Sequence, residues 1–151
     1  MRRMPATLVA LAACGTLVLG CGEGGVSEGA TVSVYVAPPL CAEAERELKK
    51  KGAEAGEVEV RAICLPAVET GDRADLAATG ANARRATEDS TSVAFLEAPG
   101  PAARFSQSVV EAAGIAWVET DSGAGVMRQV LSALGETDSS PRDAVRDALE
   151  G

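Results

Sequence analysis

Four cysteines, Cys14, Cys21, Cys41 and Cys64, are the most reactive side chains of this 151-residue chain, and no histidine accompanies them. Without an imidazole there is no Ser-His-Asp triad, no Cys-His dyad and no histidine-ligated metal site. The thiols are left to carry an attached group or to bond to one another. Cys41 and Cys64 are not spaced as C-x-x-C, which argues against a redox active site. Carboxylates are plentiful, 22 Asp and Glu against 14 Lys and Arg, for a formal net charge of −8. Such a chain repels phosphate backbones, so nucleic acid is not an expected partner. Neighbouring acids such as Asp72 with Asp75, or Glu88 with Asp89, read as solvated faces rather than a general acid–base pair. Aromatic residues make up only 3% of the chain, too few for stacking platforms. The expectation is a protein with no catalytic constellation, no metal and no cofactor.

The first cysteines belong to an amino terminus that reads as an address. "MRRMPATLVALAACGTLVLGC" opens on Arg2 and Arg3, continues as an uncharged, mostly apolar stretch from Ala6 to Gly20, and ends at Cys21. This is the layout of an export signal. The stretch is shorter than the roughly 20 residues of a spanning helix. "VLGC" resembles a bacterial lipobox, with Cys21 acylated to become the mature amino terminus. "LAAC", ending at Cys14, is a rival site, but cutting there strands "GTLVLG" on the mature protein. "GEGGVSEGA", Gly22 to Ala30, then serves as a solvated tether. The expected divisions are a lipoprotein signal at 1–20, a tether at 21–30, an α/β domain at 31–136, and a loop with a short terminal helix at 137–151. Outside the cytosol Cys41 and Cys64 are expected to pair as a disulfide.

Along the mature chain, "TVSVYVA" (Thr31 to Ala37) alternates as a strand that Pro38 and Pro39 end. "CAEAERELKKKG" reads as a helix with acids early, lysines late and Gly52 as its stop; Glu45–Lys49 and Glu47–Lys51 would be paired one turn apart. Glu57 to Leu65 is a second strand. "ADLAATGANARRATED" is a helix with Leu76, Gly80, Ala83 and Thr87 on one side. Ser92 to Glu97 is a third strand. Pro101 is placed in the first turn of a helix that buries Phe105, Val109 and Ala112, and Gly114 closes it. "IAWVE" is a fourth, inner strand with Trp117 in the core. The next helix turns Val126 or Met127, Val130 and Leu134 inward, and Ser140, Pro141 and Asp143 start a terminal helix. Strand–helix repeated four times predicts an α/β protein, a three-layer α/β/α sandwich with a four-stranded parallel sheet of Rossmann-like kind. Cys41 follows the first strand and Cys64 ends the second, so both reach the same sheet edge. A bridge between them is worth roughly 3 kcal/mol in the chain-entropy model.

The stretch "NARRATEDSTSVAFLEAPGPAARFSQSVVEAAGIAWVE", Asn82 to Glu119, resembles the type I periplasmic binding proteins, in particular branched-chain amino-acid binding components of ABC importers. "EDSTSVAFLEAPG" and "EAAGIAWVETDSG" stand where that family has its third and fourth strands with their loops, and the likeness spans about residues 31 to 135. It implies one lobe of a two-lobe receptor, an ABC permease as partner, and a small amino-acid-like ligand. The family's ligand contacts fall on Ala98, where a hydroxyl is replaced by "APGP", and on Thr120 and Ser122, which also suit helix capping. Glu119 and Asp121 beside them would repel a carboxylate. "GAGVMR" at Gly123 to Arg128 lacks the third glycine of a dinucleotide loop. Pro38 and Glu97 stand where a phosphorylated receiver would want acids and an Asp.

The expected function is therefore a lipid-anchored, extracytoplasmic, solute-binding-like protein on the bacterial cell membrane. The alternatives are an envelope interaction lipoprotein that keeps the fold without a pocket, and a truncated binding protein whose second lobe lies elsewhere.

Overall fold

The computed structural model describes residues 30–68, 75–136 and 139–151. Cys14, Cys21, Asp72 and tether residues 22–29 lie outside the described residues. Strands β1 (Thr31–Val36), β2 (Glu54–Ala55), β3 (Val58–Cys64), β4 (Ser92–Glu97) and β5 (Ala116–Glu119) form one sheet in the order β2-β3-β1-β4-β5. Helices α1 (Pro38–Lys51), α2 (Leu76–Glu88), α3 (Ala103–Ala112), α4 (Gly123–Gly135) and α5 (Pro141–Glu150) surround it.

The α/β class is as expected, but the sheet is five-stranded and mixed rather than four-stranded and parallel. Gly52, at φ 92°, ends α1 by donating its N–H to the Leu48 carbonyl. The chain then pairs Glu54–Ala55 antiparallel with β3, through a two-residue Gly56–Glu57 turn in which Gly56 takes φ 61°. Such a turn favours a residue that tolerates positive φ. Two residues carry no period-2 signal, which is why this edge strand is silent in the sequence.

β1 is buried from Val32 to Val36 because helices cover both faces. One face carries α1, α4 and α5, whose Leu48, Met127, Val130, Leu134 and Val145 pack on Val34, Val36 and Leu96. The other carries α2 and α3, whose Ala83, Ala86 and Val110 pack on Tyr35, Phe95 and Ile115. A Cβ at Gly123 would collide with the Leu40 carbonyl oxygen, so glycine lets α1 and α4 approach there.

Several boundaries and faces differ from expectation. α1 begins at Pro38, not after it: both prolines occupy its first turn, where a missing N–H costs nothing. Pro101 lies in the turn before α3, whose first helical residue is Ala103. The inward stripe of α2 is Thr79, Ala83 and Ala86, and that of α3 is Ala103, Ser106 and Val110. Leu76 and Phe105 are left 51% and 42% exposed, and Ala112 is exposed as well. Helices made mostly of small residues offer little hydropathic contrast, so their inner face is set by fit. Glu47 is buried and pairs with Arg128 of α4 (3.5 Å), not with Lys51. β5 is an edge strand, and Trp117 on it is half-buried. The inward face of α4 is as expected. Ser140 caps α5, its hydroxyl accepting from the Asp143 N–H.

Arg142 of α5 ties the sheet's amino edge together. Its guanidinium donates to the carbonyls of Ser92 (2.7 Å), Asp89 (3.3 Å) and Ser90 (3.4 Å). No helix among the described residues is long and apolar enough to cross a membrane.

Candidate functional site

The chain passes from β1 to β3 on one side and from β3 to β4 on the other, so the strand order reverses between β1 and β4. In open α/β sheets such a reversal leaves a crevice outside the strands' carboxyl ends, where ligands bind. A cavity of about 360 Å³ opens at that point. It lies on the α2/α3 side, between the loops after β1, β3 and β4. Leu65 and Phe95 line it as apolar residues, with Thr79 and Asn82 of α2 and Ala103 of α3. The volume is at the small end for ligand sites.

Proline dominates the rim. Pro38 and Pro39 follow β1, Pro66 follows β3, and Pro99 and Pro101 follow β4. These are five of the chain's seven prolines. Pro38 and Pro39 open α1, Pro66, Pro99 and Pro101 lie in the loops, and all five remove backbone donors from the mouth.

Among the described residues, Glu97 is the one ionisable residue lining the cavity. It ends β4, where strand alternation carries it to the same face as Phe95. Its Oε1 accepts from the Ser106 hydroxyl (3.1 Å) and its Oε2 from the Trp117 indole N–H (3.2 Å). Burial pushes its pKa above the ordinary glutamate value, against the pull of those two donors, and the nearby Glu119 charge adds to the rise. The hydrogen bonds fix the carboxyl group in place.

Ala98 lines this cavity, while Thr120 and Ser122 line a separate, open depression with Arg128 and Gln129. Both hydroxyls serve the start of α4. The Ser122 Oγ accepts from the Gly125 N–H (3.1 Å), and the Thr120 Oγ1 accepts from the Ser122 N–H (3.0 Å). Both hydroxyls act as caps; the Thr120 backbone N–H donates to the Glu97 carbonyl (2.9 Å), which sets Thr120 beside Ala98 at the sheet edge, while Thr120 and Ser122 line the other depression.

Cys41 and Cys64 form a disulfide, with Cα atoms 5.7 Å apart. The parallel register sets Val36 opposite Cys64, and Cys41 lies in the first turns of α1, so the topology itself delivers the two sulfurs to one edge. Cys41 is buried and Cys64 exposed. Glu45 Oε1 is 3.8 Å from the Cys64 sulfur. With both sulfurs bonded to each other, this trio has no thiolate to offer a metal.

Glu97, Thr79, Asn82 and the proline rim were not singled out as a site by residue type. A signal for them exists in the sequence, since a proline stands within two residues of the end of three successive strands: "VAPP", "CLP" and "EAP". Compared with protein-family models, with curated proteins and with solved structures, the chain finds no match in any of the three.

Proposed function

We propose that this chain is a lipid-anchored, extracytoplasmic solute-binding-like module, a Rossmann-like lobe of the kind seen in type I periplasmic binding proteins. On this reading its solute site is the cavity at the carboxyl ends of β1, β3 and β4. The observation that carries it is that cavity's position at the strand-order reversal, lined by apolar side chains around a fixed carboxylate. The Cys41–Cys64 bridge suits an oxidising compartment. Ala30 lies at the start of β1 and the cavity at its end, roughly 20 Å away for six residues of strand. An anchor at Cys21 would thus attach the chain from the edge opposite the cavity and leave the cavity mouth clear of the attachment point for solute.

The ligand-side expectation changes with the geometry. Thr120 and Ser122 cap the start of α4 through their oxygens and keep their O–H groups to donate, in a depression separate from the cavity.

Thermal melting of the purified chain against a library of small solutes tests the reading. A bound solute must raise the melting temperature, by the equivalent of about 2.7 kcal/mol at a hundredfold excess over Kd. No shift with any solute at millimolar concentration would defeat it. Anchoring is tested separately: labelled palmitate should enter the chain in bacterial cells, and Cys21→Ser should abolish the incorporation.

A second reading, an envelope interaction module, is favoured by one apolar strip. Leu76 and Gly80 lie one turn apart on α2, the Phe105 ring lies close over Gly80, and Leu76 and Phe105 are both exposed. Replacing both by Ser would leave solute binding intact while abolishing association with a partner bound through this strip.

A further inference from the structure

We infer that the cavity takes a small apolar amine, its ammonium held by the Glu97 carboxylate, and rejects carboxylates and phosphates; this rests on the cavity being a solute site. Helix amino termini at the carboxyl edge of a parallel sheet ordinarily offer N–H groups to anions. Here several of those donors are missing or spent. α1 opens on Pro38 and Pro39, and the Leu40 N–H donates to the Ala37 carbonyl (3.0 Å). At α2 the Ala77 and Ala78 N–H groups both donate to Asp75 Oδ1, at 3.1 and 2.9 Å. At α3 the Ala103 N–H donates to the Gly100 carbonyl (3.2 Å) and the Phe105 N–H to that of Ala102 (2.9 Å). Pro66, Pro99 and Pro101 supply none.

Among the described residues no Lys or Arg lines the cavity. An entering carboxylate would meet no cation and would face Glu97 in a partly desolvated place, where like charges repel most strongly. Each Glu97 oxygen accepts one hydrogen bond and retains capacity for another, while Asn82 spends one N–H on the Pro66 carbonyl (3.1 Å) and keeps its second N–H and its carbonyl oxygen, so Glu97 is the charged group of the described lining. An ammonium is all donor and carries the complementary charge, so it satisfies both the carboxylate's charge and its open lone pairs. Leu65, Phe95 and the prolines give the rest of the ligand an apolar wall. The small volume limits it to a short or branched chain.

Trp117 is the chain's single tryptophan and donates to Glu97, so its fluorescence reports on the site. Isoamylamine, isoamyl alcohol, isovalerate and leucine share one branched chain and differ in head group. Titrating each into the purified full chain, with melting temperature as second readout, should show isoamylamine binding about tenfold tighter than isovalerate, equivalent to about 1.4 kcal/mol. Leucine should be weaker than isoamylamine. Glu97→Gln keeps an acceptor for Trp117 and a donor for Ser106, and should bring the amine down to the level of the alcohol. Glu119→Gln, which alters only the neighbouring exposed charge, should preserve the ranking. If isovalerate or leucine binds best, the amine assignment is overturned while the solute reading stands. If no probe changes either readout, the amine assignment falls, and the solute library decides the reading it rests on. The ranking on the unaltered chain decides the question even if the Gln variant fails to fold.

Discussion

The two faces of the sheet are built from different materials. The face under α1, α4 and α5 is packed by Val, Leu, Ala and Met, with Cys41 at one corner and buried Glu47 meeting Arg128 between α1 and α4. The face under α2 and α3 holds Tyr35, Phe95 and Trp117, and the remaining aromatic residue, Phe105, lies on α3 itself. The reason is volume. α2 contributes Thr79, Ala83 and Ala86 to its contact, so the sheet must supply the bulk. Where it does so, at Phe95 and Tyr35, the layer closes. At the carboxyl edge the loops turn away on their prolines and space is left. The aliphatic face serves stability, and the aromatic face combines packing with a cavity and polar side chains fixed by hydrogen bonds. Tyr35 donates to Asp89 (3.0 Å) at one end of that face, as Trp117 does to Glu97 at the other.

Substitutions can break or sharpen this contrast. The largest effect is expected from Leu96→Ala on the aliphatic face, about 2–5 kcal/mol in denaturant unfolding, with solute affinity unchanged. Replacing Cys41 and Cys64 together by Ser should cost about 3 kcal/mol, and added reductant should lower the melting temperature of the parent but not of the variant. Arg142→Ala leaves three carbonyls without their charged donor and should cost about 1–3 kcal/mol in the same assay. Ser122→Ala should remove about 1 kcal/mol of capping and leave solute binding unaffected, separating the α4 cap from the cavity.

The smallest effect is one of slope. Burial raises the Glu97 pKa, so just above the ordinary glutamate value the folded chain binds a proton that the unfolded chain has lost. Stability therefore falls as pH rises through the window between those two values. Glu97→Gln should flatten that fall, raising the neutral-pH melting temperature slightly. Asp89 works the other way: burial pushes its pKa up, but hydrogen bonds from Thr91 and Tyr35 outweigh it and hold it low. Its contribution is present above the ordinary aspartate pKa and is lost as pH falls through the lowered one. Asp89→Asn should flatten that acid-side loss.

Much of this architecture was legible in the residues. The alternation of "TVSVYV" and "EVEVRAIC", the stops at Gly52 and Gly114 and the inward Val126, Val130 and Leu134 all follow from period and local backbone chemistry. So did the meeting of Cys41 with Cys64, because parallel topology puts both at one edge. The misses have physical causes. Leu76 and Phe105 are the bulky residues of helices otherwise made of small ones, and hydropathy assigns them inward, but the close α2–α3 contact at Gly80 keeps the Phe105 ring outside. Glu47 is charged yet buried because Arg128 meets it from another helix. The cavity was least legible: it lies between three loops distant in sequence, and Glu97, the one charged group lining it among the described residues, looks in sequence like the polar end of a strand.

The most direct test of the cavity as the binding site is amide chemical-shift mapping of the labelled chain during titration with isoamylamine. Saturable shifts should cluster at Ala37, Leu65, Asn82, Ala98 and Ala103, leaving Gly125 and Gln129 still. Shifts confined to the Thr120–Ser132 depression, or no saturable shift anywhere, would contradict it.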